Sequence, residues 1–209
     1  MRNKIPSLAC VLALGTALLQ PQLAAGQDTK PVTLADMKSQ LAMLQTRITA
    51  VVDGLEQVKA SEKNDAALAK AIAEFQTRYA ALEGQLGTVR TQAVVVKARA
   101  NEQYETWQKD LATVQNPSIR EKAQDRFAAS KKEFDKIIEK AATAKEEAVP
   151  FVAQVKDISI YFQADPSSGA VKSLSSTIWK LGNKSKSVND SVKDVIDQIE
   201  RTIKSLPKK

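Results

Sequence analysis

Residues 68–114, LAKAIAEFQTRYAALEGQLGTVRTQAVVVKARANEQYETWQKDLATV, decide the fold. Apolar residues recur every three or four positions: Leu68, Ile72, Phe75, Tyr79, Leu82, Leu86, Val89, Ala93, Val96 and Ala100. A further step of four leads to Tyr104, and Trp107, Leu111 and Val114 follow. Such spacing lines one face of an α-helix, and alternating steps of three and four make the seam of a coiled coil. The two successive steps of four around Ala100 form a stutter, which relaxes a left-handed supercoil.

The same pattern continues on both sides. Upstream it runs Leu34, Met37, Leu41, Leu44, Ile48, Val51, Leu55 and Val58, with Thr33 and Asp36 placed as a capping box. Ser61 and Asp65 keep the phase, so one helix from Thr33 to Gln115, about 120 Å long, is one reading. A turn is favoured, because a continuous seam would carry polar Ser61 and Asp65, and Asn64 and Asp65 suit the cap of a new helix. Downstream, Asn116 and Pro117 stop one helix and open the next, since proline lacks an interior donor yet fits the first helical position.

The third segment carries Phe127, Ser130, Phe134, Ile137, Ala141, Ala144, Ala148, Phe151, Val155, Ile158 and Phe162. Its phase passes through Pro150, which predicts a continuous, kinked helix. Gln163 to Gly169 reads as a loop. The fourth segment has Val171, Leu174, Ile178, Leu181, Ser185, Val188, Val192, Val195 and Ile199; Gly182, Asn183 and the polar seam residue Ser185 mark its weak point, where the helix either breaks or continues. No stretch alternates with the period of a strand. Short connections put consecutive helices side by side and antiparallel. The expected fold is all-α: an elongated antiparallel up-down bundle, or coiled coil, of three to four long helices.

The N-terminus has the three-part layout of an export signal: Arg2 and Lys4, an apolar run from Leu8 to Leu19, and small residues at Ala24, Ala25 and Gly26. The apolar run is too short for a membrane span, which needs about 20 residues. Cleavage is expected after Gly26. Cys10 precedes most of the apolar run, the wrong order for a lipid-attachment box, and belongs to the discarded signal. The expected organisation is residues 1–26 as signal, 27–32 as linker, 33–206 as one helical domain and 207–209 as a basic tail. Periplasmic or extracellular residence follows.

Beyond Cys10 the chain has no cysteine, and it has no histidine anywhere. Thiol and imidazole nucleophiles or bases, disulfides and His-bearing metal sites are therefore excluded. A di-iron bundle needs inward glutamates and a Glu-x-x-His pair, and the seam from Leu68 to Ile199 carries no carboxylate. The Ser-x-x-Lys match at Ser205 and Lys208 lies at the chain end without its partner motifs. Gly84 and Gly87 form no phosphate loop and are expected to let two helices approach closely. No enzyme activity, cofactor, metal or small-molecule substrate is expected.

Charge is unevenly placed. Without Arg2 and Lys4 there are 29 basic and 24 acidic residues, net +5. Residues 27–169 balance at 20 each, so the excess lies beyond them. Lys172, Lys180, Lys184, Lys186 and Lys193 form a candidate contact with an anionic surface, against the plainer reading of a solvated helix face. Export and modest charge argue against nucleic acid. Trp107 falls on a seam as a core anchor; Trp179, beside Ile178 at the edge of the fourth seam, is expected to pack against a neighbouring helix, with contact to a membrane interface or a partner as the other reading.

Several landmarks share an order with a known family: Tyr79 and Leu82, Arg99, the run Tyr104 to Leu111, Asn116 with Ile119 and Arg120, Pro150 to Val152, Asp157, and Ala170 to Leu174. Over about Phe75 to Leu174 the chain resembles the bacterial domain-of-unknown-function family numbered twenty-nine fifty-nine. That family usually shows Lys-His-Asn-Leu-Asn where this chain has Gln163 to Ser167. The resemblance implies an exported helical protein and supplies no activity. Two functional readings stand: a scaffold that binds another protein or self-associates, and a binder of anionic lipid or cell-wall polymer through the basic last helix.

Overall fold

The computed structural model describes residues 32–205. Four α-helices account for nearly all of them: α1 (Leu34–Ala60), α2 (Asp65–Thr113), α3 (Pro117–Ala164) and α4 (Ser168–Ser205). The expected signal, most of the linker and the basic tail lie outside the described residues. Helix α1 packs on α2 and α4, and α3 on α4; α2 and α3 also touch, more sparsely, so the helices close into an antiparallel ring.

Each boundary has a local cause. Thr33 Oγ1 accepts from Asp36 N at 3.1 Å while Thr33 N donates to the Asp36 carboxylate at 2.9 Å, a complete capping box. The turn between α1 and α2 falls at 61–64, where Asn64 caps α2 by accepting from Ala67 N at 3.0 Å. Asn116 does the same for α3, accepting from Ile119 N at 3.2 Å, with Pro117 as the first helical residue. Helix α3 runs unbroken through Pro150, which sits on the exposed side.

At the weak point near Gly182 the helix continues, and α4 is unbroken. Ser185 is buried in the seam but satisfies its hydroxyl locally, donating to Gly182 O at 2.8 Å. A buried hydroxyl paired within its own helix leaves no polar group to force a turn.

The core is thickest where the two outer turns meet. Phe75 and Phe162 are buried there edge to face, with ring centroids 6.1 Å apart, amid Leu55, Val58, Leu68, Ile158 and Val171. Tyr79 is buried one turn further along and donates to Glu83 at 2.6 Å. Burial, then that bond to Glu83, raises its phenol pKa well above the usual range.

At the opposite end the bundle thins. Arg99 donates to Val32 O at 3.2 Å, which places the start of α1 level with Arg99. The remaining stretch of α2, residues 100–113, extends roughly 20 Å further. It pairs with the start of α3 through half-buried aromatics. Phe127 stacks edge to face on Trp107 at 5.3 Å and on Tyr104 at 5.8 Å, and Tyr104 donates to Ser130 O at 3.0 Å. Arg120 folds back to donate to Val114 O and closes the hairpin at the tip. Trp107 thus anchors a contact, but it is half-buried, and its Nε1 is enclosed without a hydrogen-bond partner among the described residues.

Candidate interaction surfaces

The five candidate lysines share a helix but not an environment. Lys172 pairs with Glu62 of the α1–α2 turn at 3.4 Å, Lys184 with Glu147 of α3, and Lys193 with Asp197 of α4 at 2.6 Å. That last bond and the Asp197 charge hold the Lys193 ammonium pKa above its ordinary value. Lys180 and Lys186 are exposed and have no ion pair among the described residues. At about 100° per residue, Lys172, Lys186 and Lys193 lie along the outer side of α4. Lys184 turns toward α3, and Lys180 lies between that flank and the outer side.

Charge divides α4 lengthwise. Residues 168–189 contain Lys172, Lys180, Lys184 and Lys186 and no acidic residue. From Asp190 onward, Asp194, Asp197 and Glu200 offset Lys193, Arg201 and Lys204. Lys193 therefore belongs to a mixed-charge surface, and the candidate set separates into a basic first half and a neutralised second half.

Trp179 does not pack against a neighbouring helix as its position beside Ile178 suggested. It is 62% exposed, while Ile178 is fully buried. One residue is a 100° turn, enough to move the indole from the seam edge to the outside of α4. Lys172 and Lys186, seven residues away on either side, share its face; Lys180 adjoins it.

The two α2 glycines also depart from expectation. A Cβ at Gly84 or Gly87 would meet nothing within 4 Å, so neither permits a close helix contact within this chain. They belong to a second row, opposite the seam: Ala73, Thr77, Ala80, Gly84, Gly87, Thr91, Val94 and Ala98. All are exposed, Val94 by 70%, and the row keeps the three–four spacing with no charged member. No described helix covers it.

Sequence reading missed a set of buried polar residues. Gln85 donates to Gln40 O at 2.9 Å, and Gln76 donates to Ser159 O at 2.8 Å. Gln198 donates to Glu133 at 2.8 Å. Each joins two helices from a position flanking a seam, where glutamine looks like a surface residue. Two shallow grooves are open to solvent: one of about 540 Å³ bordered by Phe127, Lys131 and Asp135, another of about 560 Å³ by Gln45, Thr49 and Asn189. Among the described residues no three potential metal ligands converge, and no helix is long and apolar enough to cross a membrane.

The fold defines an all-α protein of antiparallel helices joined along coiled-coil seams. The chain belongs to the family described as Protein of unknown function (DUF2959), which matches residues 26–206. The match is wider than the stretch from Phe75 to Leu174 that carried the resemblance in sequence. No curated protein and no solved structure matches the chain.

Proposed function

We propose that this protein is an exported, non-enzymatic helical scaffold of the bacterial envelope that binds another protein or a second copy of itself. The observation that carries this reading is the uncovered α2 row from Ala73 to Ala98. A helix face at heptad spacing, without charge, is what a further helix packs against. The export layout of residues 1–26 supports the compartment, and the family match begins where the expected cleavage falls. The lack of histidine and cysteine beyond Cys10 supports a binding role over catalysis.

The test is a Gly87→Glu, Val94→Glu variant. Both positions face solvent, so the fold is expected to survive while charge is placed in the row. Light scattering and pull-down from envelope extract should show an assembly with the unaltered chain that the variant loses. An unaltered chain that is monomeric and captures nothing contradicts the reading, as does a variant that assembles equally well.

A second reading rests on a different observation, the acid-free first half of α4. It makes the protein a binder of anionic envelope material. Such contact weakens steeply with salt, whereas a buried helical seam does not. Changing Lys180, Lys184 and Lys186 to Gln should reduce sedimentation with anionic vesicles or peptidoglycan at low salt. The change also removes the Lys184–Glu147 pair, so circular dichroism accompanies it.

A further inference from the structure

Tryptophan is the costliest side chain to leave in water, and Trp179 is 62% exposed in the middle of a regular helix. Its surroundings are not apolar. On the same face stand Ser176 and Asn183 one turn away, with Lys172 and Lys186 two turns away. Lys180 is adjacent, and the whole stretch 168–189 lacks a carboxylate. Two carboxylates border this face: Glu62, which already pairs with Lys172 at 3.4 Å, and Asp190, one turn beyond Lys186, where the mixed-charge half of α4 begins.

Two kinds of surface take an exposed tryptophan. A protein interface buries it in a pocket ringed by water-excluding neighbours and is depleted in lysine. A lipid headgroup layer accepts the indole at the boundary between polar and apolar zones, and lysines beside it reach anionic phosphates while their stems lie along the surface. A lone indole with three long cations around it, no apolar ring, and carboxylates only at the two borders of the face fits the second.

From this we infer that the outer face of α4 centred on Trp179, with Lys172, Lys180 and Lys186, docks on the surface of an anionic phospholipid bilayer. The contact is peripheral. Trp179 enters the headgroup layer, the lysines contact phosphates, and the mixed-charge half of α4 from Asp190 onward stays off the surface. This inference rests on the anionic-surface reading and narrows it to lipid with an indole anchor. It leaves out Lys184, which turns to Glu147 on the α3 flank, and Lys193, which lies in the mixed-charge half of α4.

Trp107 and Trp179 are the two tryptophans of the chain, so a Trp107→Phe background makes Trp179 emission a direct reporter. The purified protein is titrated with vesicles of phosphatidylcholine alone and with about one-third phosphatidylglycerol, at low salt. The expected result is a blue shift of Trp179 emission with the anionic vesicles only. Removing Lys172, Lys180 and Lys186 together as Gln should lower affinity about a hundredfold, at roughly 1 kcal/mol per lysine. Trp179→Ser, followed by sedimentation, should lower it several-fold. Circular dichroism confirms that each variant stays helical.

No binding to anionic vesicles, or binding without an emission shift, overturns the inference. Loss of binding in the lysine variant but not in Trp179→Ser leaves the anionic-surface reading standing and removes the indole anchor. An equal shift with soluble polyphosphate shows that a free polyanion suffices, and the lipid assignment falls.

Discussion

Phe75 and Phe127 are both aromatic seam residues, yet Phe75 is wholly buried and Phe127 is half-buried. The difference is the number of helices around each. Phe75 sits where four helices meet and faces Phe162, whereas Phe127 lies in the thin end against Trp107 and Tyr104. One heptad pattern therefore gives two energetic regimes. A seam aromatic enclosed by four helices loses nearly all contact with water; Tyr104, Trp107 and Phe127, shared mainly by two helices, keep a wet side, and hydrophobic stabilisation scales with the area removed from water.

The comparison is broken most directly by a charge. Leu82→Asp places a carboxylate where four-helix packing leaves no water, and it should unfold the body. Circular dichroism and thermal melting read the result; a fully stable variant means the seam is misassigned. Next comes the aromatic pair. Phe162→Ala should cost about 3–5 kcal/mol in denaturant unfolding, in line with large-to-small core changes. Phe127→Ala should cost clearly less, because its side chain keeps part of its surface in water. Equal losses would erase the distinction between body and arm.

Smaller effects sharpen it. Asn116→Ala removes the cap that starts α3 at the tip of the arm and should cost about 1 kcal/mol. Trp107→Phe should cost little, since it deletes an enclosed Nε1 that has no described partner while keeping an aromatic ring on Phe127.

The smallest effect concerns pH. The Glu133 carboxyl is held below its ordinary value of 4.5 by hydrogen bonds from Lys136 and Gln198, and that of Glu200 by its bond to Lys38. A depressed carboxyl contributes stability that is present above the ordinary value and lost as pH falls through the depressed one. Melting temperature should therefore fall below about pH 4.5, and Glu200→Gln should lessen that fall. Both groups are on the surface, so the change is slight.

Helix order and most boundaries were legible because caps and prolines act locally, while the sequence left open whether the first two segments form one helix or two. Thr33 with Asp36, Asn64, and Asn116 with Pro117 each name their own boundary. The seams were legible too, from Met37 to Ile199, because period alone identifies the inner face. What surrounds a seam was not. Ala93 and Ala141 keep the phase yet are exposed, since phase does not say how many neighbours stand opposite. Trp179, Gly84 and Gly87 were misplaced for the same reason: a residue beside a seam, or a glycine in a helix, faces a partner only if one is there. A polar seam residue such as Ser185 reads as a weak point in sequence, which does not reveal that its hydroxyl finds Gly182 O. The charge asymmetry of α4 was visible, but its division into a basic half and a neutralised half required the ion pairs.

Hydrogen exchange resolved along the chain tests the division between body and arm most directly. Amides at 68–82 and 151–162, enclosed by four helices, should open only with global unfolding. Amides at 104–111 and 119–130 should exchange earlier, through local opening of the thin end. Uniform protection across both regions, lost in a single step, would contradict the account.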